Sequence, residues 1–138
     1  SLISDVKHLQ SSVLINNGEG HFTMVALPQE AQVAPIYAIH IEDFNKDGAL
    51  DLLLAGNLFE VKPEIGRYDA SYGVCLLGDG KGAFHTEKNN KTGLSLKGQI
   101  RDIKPIKLGR KNILLVAGNN EKTQALEIVS NNNITNHK

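Results

Sequence analysis

The chain has 138 residues, 15 basic and 15 acidic side chains, and a formal net charge of zero. That length fits one domain or a piece of one, the 41% apolar fraction supplies a core, and the balanced charge lacks the basic excess of a nucleic-acid binder. A single cysteine excludes an internal disulfide framework and a multi-cysteine zinc site, and no apolar run approaches the ~20 residues of a membrane helix.

Ser1 to Gln10 has no initiator Met and no apolar signal core, so the chain reads as an interior cut from a longer protein. Short apolar runs follow at Val13–Ile15, His21–Leu27, Ile36–Ile41, Leu50–Ala55, Val74–Leu77, Ile100–Ile106, Ile113–Ala117 and Ala125–Val129. Amphipathic helical spacing is absent, and Gly, Asn and Asp clusters bound the runs, which is the pattern of strands. The turns Asn16-Asn17-Gly18-Glu19-Gly20 and Gly78-Asp79-Gly80-Lys81-Gly82 each join two runs with residues that tolerate positive φ. The predicted class is all-β with antiparallel hairpins.

Two unrelated motifs return at one offset. Asn17-Gly18-Glu19-Gly20-His21-Phe22 resembles Asp79-Gly80-Lys81-Gly82-Ala83-Phe84, and Leu52-Leu53-Leu54-Ala55-Gly56-Asn57 resembles Leu114-Leu115-Val116-Ala117-Gly118-Asn119; from 17 to 79 and from 52 to 114 the step is 62 residues. A shared step marks an internal repeat. Each unit reads as strand, Asp/Asn loop, buried strand, long connection, strand, Gly-rich turn, strand. The chain then opens with the end of one unit (11–30), holds one complete unit (36–90) and closes with the first three strands of another (99–130). Leu50–Ala55 and Ile113–Ala117 are apolar on both faces, so each unit requires a neighbour on either side, as in a propeller or a stacked array.

One loop carries chemistry. In Asp43-Phe44-Asn45-Lys46-Asp47-Gly48-Ala49-Leu50-Asp51, oxygen side chains occupy positions 1, 3, 5 and 9, Gly48 permits a sharp reversal, and Ala49 offers a carbonyl at position 7. Three carboxylates, an amide oxygen and a backbone carbonyl make a hard oxygen set suited to Ca²⁺. An EF-hand requires Glu at position 12, where this chain has Leu54. Without a metal, the same residues are an Asx-rich surface turn. The corresponding segment of the last unit, Lys107 to Asn112, is shorter and cationic, with Ile113 in the place of Asp51, so one Ca²⁺ per chain is expected.

The string Ile41-Glu42-Asp43-Phe44-Asn45-Lys46-Asp47-Gly48-Ala49-Leu50-Asp51-Leu52-Leu53-Leu54 resembles the FG-GAP or VCBS repeat, the blade unit of integrin-α-type β-propellers. The turns Gly18-Glu19-Gly20-His21-Phe22 and Gly80-Lys81-Gly82-Ala83-Phe84 resemble that repeat's closing hairpin. Glu64 to Gly73 is similar to a segment of large bacterial proteins that carry such repeats beside an ASPIC/UnbV-type domain. The resemblance implies a partial β-propeller of two to two and a half four-stranded antiparallel blades. It places calcium ligands at Asp43, Asn45, Asp47, Ala49 (backbone) and Asp51. It further implies a non-catalytic scaffold or a protein- or carbohydrate-binding module, secreted, cell-surface or periplasmic, whose partners are the parent's remaining blades and a protein or glycan ligand. The alternative is an accessory segment of a larger extracellular enzyme acting on polysaccharide.

The connection from Leu58 to Tyr72 gathers Glu64, Arg67, Tyr68, Asp69 and Tyr72, a candidate contact loop or a packed brace between units. Direct catalysis would require paired acids, and only Glu60, Glu64 and Asp69 of that loop offer any. The five histidines show no metal spacing, and Cys75 sits in an apolar run as a small hydrophobe. Arg101, Lys104, Lys107, Arg110 and Lys111 form a basic stretch that reads as a solvated face. Open sheet edges predict self-association.

Overall fold

The computed structural model describes residues 5–58, 71–129 and 133–137, the last five by backbone alone. Among them, ten strands form three antiparallel sheets, none closed on itself. The first is a hairpin of β1 (Ser12–Asn16) and β2 (Phe22–Ala26). The middle sheet is a meander of β3 (Ile36–Glu42), β4 (Asp51–Gly56), β5 (Val74–Gly78) and β6 (Phe84–Glu87). The closing sheet is a second meander of β7 (Ile100–Leu108), β8 (Lys111–Gly118), β9 (Gln124–Val129) and β10 (Asn133–His137). The all-β expectation holds. The closing unit has four strands where the sequence suggested three, because β10 lies past the expected boundary at residue 130. Among the described residues, helix is limited to single turns, a 3-10 turn at Gln29–Gln32 and α1 at Asn89–Thr92.

The turn residues act as their chemistry dictates. The Asn17 side-chain oxygen accepts the backbone N–H groups of Glu19 (2.9 Å) and His21 (3.1 Å). Asp79, in the corresponding turn, accepts those of Lys81 (2.8 Å) and Ala83 (3.0 Å). These Asx contacts satisfy turn donors that the strand ladder leaves unpaired. They also hold the Asp79 carboxyl below its ordinary range, the Lys81 N–H contributing most and the Ala83 N–H next.

The pairings of the two meanders correspond position by position. Glu42↔Asp51 in the middle sheet has its counterpart in Ile106↔Ile113, Leu53↔Cys75 in Leu115↔Ala125, and Leu76↔Thr86 in Leu126↔Asn136. Both first strands carry an irregularity near their start, between Ile36 and Ala38 and between Ile100 and Asp102. Both second strands are followed by an Asn whose N–H reaches back across the sheet, Asn57 to Pro35 O (3.2 Å) and Asn119 to Gln99 O (2.8 Å). The opening hairpin corresponds to β5–β6, with Leu14↔Met24 standing for Leu76↔Thr86 and Asn16↔Phe22 for Gly78↔Phe84.

Strand alternation sends successive side chains of β4 to opposite faces. Leu53 and Ala55, with Cys75 and Leu77 of β5, enter a core shared with Ile103, Leu114, Val116 and Leu126 of the closing sheet. Leu54, with Val74 and Leu76, enters a second core beneath Leu27 and Ala31. The middle sheet is therefore covered on both faces, which is why β4 reads as a continuous apolar run. The connections contribute as well: Leu94 and Leu96, after α1, fill the first core as Leu27 and Ala31 fill the second. Each fully buried Leu side chain contributes ~1.5–3 kcal/mol by leaving water.

Candidate functional site

Glu42 pairs with Asp51, so residues 43–50 form the loop that joins β3 to β4. Left-handed backbone at Lys46 (φ 61°) and Gly48 (φ 91°) turns it tightly. Asp43 accepts the N–H of Asp47 on one carboxylate oxygen (3.1 Å) and that of Gly48 on the other (2.9 Å). Asn45 Oδ1 accepts the Asp47 N–H (2.9 Å), while its Nδ2 donates to Asp47 Oδ2 (2.7 Å). Asp47 Oδ1 accepts the Ala49 N–H (2.8 Å). The Ala49 N–H and, secondly, the Asn45 amide hold the Asp47 carboxyl below its ordinary range. Asp43, Asn45, Asp47 and Ala49 thus share one exposed web.

Asp51 stands apart from that web. It is fully buried; Oδ2 accepts the N–H of Phe44 (2.9 Å) and Oδ1 accepts the N–H of Gly78 at the end of β5 (2.9 Å). Its carboxylate ties the root of the loop to the neighbouring strand, and Phe44 packs into the core beside it. Sequence spacing alone did not reveal Phe44 and Gly78 as its partners. In the closing sheet the counterparts of Asp51 and Gly78 are Ile113 and Ile128, which line a common cleft, and the loop shrinks to the tight turn Gly109-Arg110 between Leu108 and Lys111. Loop and buried brace occur together in one sheet and are lost together in the other.

Among the described residues, no three Asp, Glu, His or Cys side chains converge as a ready-made metal cage. The donor chemistry nevertheless suits a hard cation. Every side-chain acceptor in the web is oxygen, and each accepts a single N–H in the contacts above, whereas a carbonyl or carboxylate oxygen has two lone pairs.

A cleft of about 560 Å³ opens beside the loop, between β3 and the β7–β8 hairpin, with His40, Glu42, Pro105, Lys107 and Asn112 in its wall. His40 Nε2 lies 3.0 Å from Glu42 Oε2, and its ring sits 6.0 Å from that of Phe44. A neighbouring hollow of about 270 Å³ brings Asp43 and Lys46 opposite Arg110 and Lys111. The basic stretch is dispersed into separate contacts: Arg101 stacks over Tyr37 at 4.2 Å, Lys104 meets Asp102, and Lys111 meets Glu127. Cys75 is buried, and burial first, then the Asp51 and Glu87 carboxylates, pushes its thiol up to about 12. Of the expected contact loop, Tyr72 is half exposed beside a hollow of about 310 Å³, while Glu64, Arg67, Tyr68 and Asp69, like Glu60, lie outside the described residues.

No protein-family model matches this sequence, no curated protein matches it, and no solved structure matches its fold. No helix among the described residues is long and apolar enough to cross a membrane.

Proposed function

We propose that this chain is a non-catalytic, calcium-stabilised segment of a repeat scaffold of the FG-GAP/VCBS type. In that reading it belongs to a β-propeller of a secreted, cell-surface or periplasmic protein and presents a binding surface for a protein or glycan. The observation that carries the reading is the position-by-position correspondence of the two meanders, combined with an all-oxygen loop at the β3–β4 corner of one and its replacement in the other. Asp43, Asn45, Asp47 and the Ala49 carbonyl would hold the ion at the loop, with Asp51 bracing the loop from beneath. A bound divalent cation neutralises like charges gathered within one turn.

The test is thermal unfolding with millimolar Ca²⁺ and with a chelator. Calcium raises the melting temperature, the chelator removes that gain, and Asp47→Ala melts at one temperature in both. A wild-type curve that does not respond to calcium rejects the ion while leaving the scaffold reading to stand on the sheets.

A further inference from the structure

The correspondence between sheets fixes which face of each looks toward its neighbour, and it leaves one such face open at each end of the stack. In the middle sheet, Leu76 is fully buried and Phe84 packs with it under Leu27 and Ala31. Their counterparts in the opening hairpin are Leu14 and Phe22, which are 58% and 60% exposed. On the opposite face of the middle sheet, Leu53, Ala55 and Cys75 are all buried. Their counterparts in the closing sheet are Leu115, Ala117 and Ala125, of which Ala117 is exposed and the other two only half-buried. Each end therefore carries the apolar positions that the interior buries.

The two open faces are also opposite halves of one contact. Between the middle and closing sheets, the Leu53–Ala55–Cys75 face meets Leu114, Val116 and Leu126, the counterparts of Leu52, Leu54 and Leu76. A further small feature points the same way. A Cβ built at Gly82, in the β5–β6 turn, would lie 2.9 Å from Ile15 of the preceding hairpin, whereas the same construction at its counterpart Gly20 meets nothing within 4 Å.

We propose that copies of this chain join head to tail, the Leu115–Ala117–Ala125 face of one seating on the Leu14–Phe22 face of the next. The occupant of each open face is a second copy, because that contact continues an interface the chain already makes within itself. It is heterologous, so it grows into a closed ring or an open series rather than stopping at a two-fold dimer. Glu127 stands where the interior has Leu77, and it pairs with Lys111 at 2.8 Å, so the rim is polar and the association reversible. The proposal rests on the equivalence of the units, part of the function proposed above, and is independent of calcium.

The test uses two variants, Phe22→Asp on the head and Ala117→Glu on the tail, in sedimentation equilibrium up to millimolar concentration. The unmodified chain is expected to form a concentration-dependent series that extends beyond the dimer. Each variant alone is expected to be a monomer, because only one kind of face remains. Mixed in equal amounts, the two are expected to form a 1:1 heterodimer that grows no further. A monomeric unmodified chain, self-association of either variant alone, or a mixture that stays monomeric overturns the proposal. Comparing Gly82→Ala with Gly20→Ala tests the packing of the hairpin on the middle sheet within one chain, so its failure is separable from a failure of stacking between copies.

Discussion

Asp51 offers the sharpest test of how the acidic loop is anchored. Its carboxylate is fully buried and accepts two backbone N–H groups, from Phe44 and Gly78, each at 2.9 Å. Asp51→Ala removes both acceptors and leaves two buried donors unpaired. An unsatisfied buried donor costs ~1–3 kcal/mol, so the pair costs about 4 kcal/mol at mid-range. For a domain of this size ~4 °C is lost per kcal/mol, which places the variant's melting temperature about 16 °C lower. Asp51→Asn retains one acceptor and sets an amide N–H₂ against the other donor, so it is expected to lose about half as much. Both variants should be measured by chemical denaturation in the presence of a chelator, so that no metal contributes. A loss below ~1 kcal/mol for Asp51→Ala, or an Asn variant as stable as the parent, refutes the brace.

The stacking of hairpin on sheet makes a paired prediction. Gly20 and Gly82 both have positive φ, so alanine is strained at either, but only Gly82 has Ile15 in the way; Gly82→Ala is expected to cost ~1 kcal/mol more than Gly20→Ala in denaturant titrations, and equal costs contradict the packing. Cys75, with its thiol pushed up to about 12, should react with a thiol reagent near pH 8 on the order of a thousandfold more slowly than in the unfolded chain; prompt labelling of the folded protein would show the site open. The Asp47 and Asp79 carboxyls are held below the ordinary value of 3.8. Their contribution to stability is present above that value and is lost as pH falls through the lower folded one. Melting temperature should therefore drop on acidification below about pH 4, and Asp79→Asn should show a shallower drop in that window; a parallel profile would contradict the Asx contacts.

Most of the strand framework was legible because the code for it is local. The Asn17 and Asp79 turns announce hairpins and the run Leu52–Ala55 announces two-sided burial through residue type and spacing alone, whereas in Leu114–Ala117 only Leu114 and Val116 are buried. β10 was not legible, since Asn133-Ile134-Thr135-Asn136 has one aliphatic residue and its strand character comes from pairing with β9. The loop was readable as a set of oxygen donors, but the division of labour within it was not. Nothing in the spacing separates the half-buried Asp43 and Asn45 and the exposed Asp47 from the fully buried Asp51. That distinction depends on Gly78, 27 residues further along the chain. A signal did exist in comparing the units, because Asp51 and Gly78 become Ile113 and Ile128 together. The tight step of 62 residues also concealed that the third and fourth strands of the closing sheet recur after 50, the connection from Gly118 to Gln124 being shorter than that from Gly56 to Val74.

Calorimetric titration of the purified chain with CaCl₂ addresses the proposed role of the loop most directly. One ion per chain is expected to bind with a dissociation constant of ~10⁻⁴–10⁻³ M, the range of extracellular modules, which at about 10 mM calcium stabilises the fold by roughly 1.4–2.7 kcal/mol. That heat is expected to be lost in Asp43→Ala and Asp47→Ala variants that remain folded. An absence of binding heat in the wild type, or heat that persists unchanged in both variants, would contradict that role.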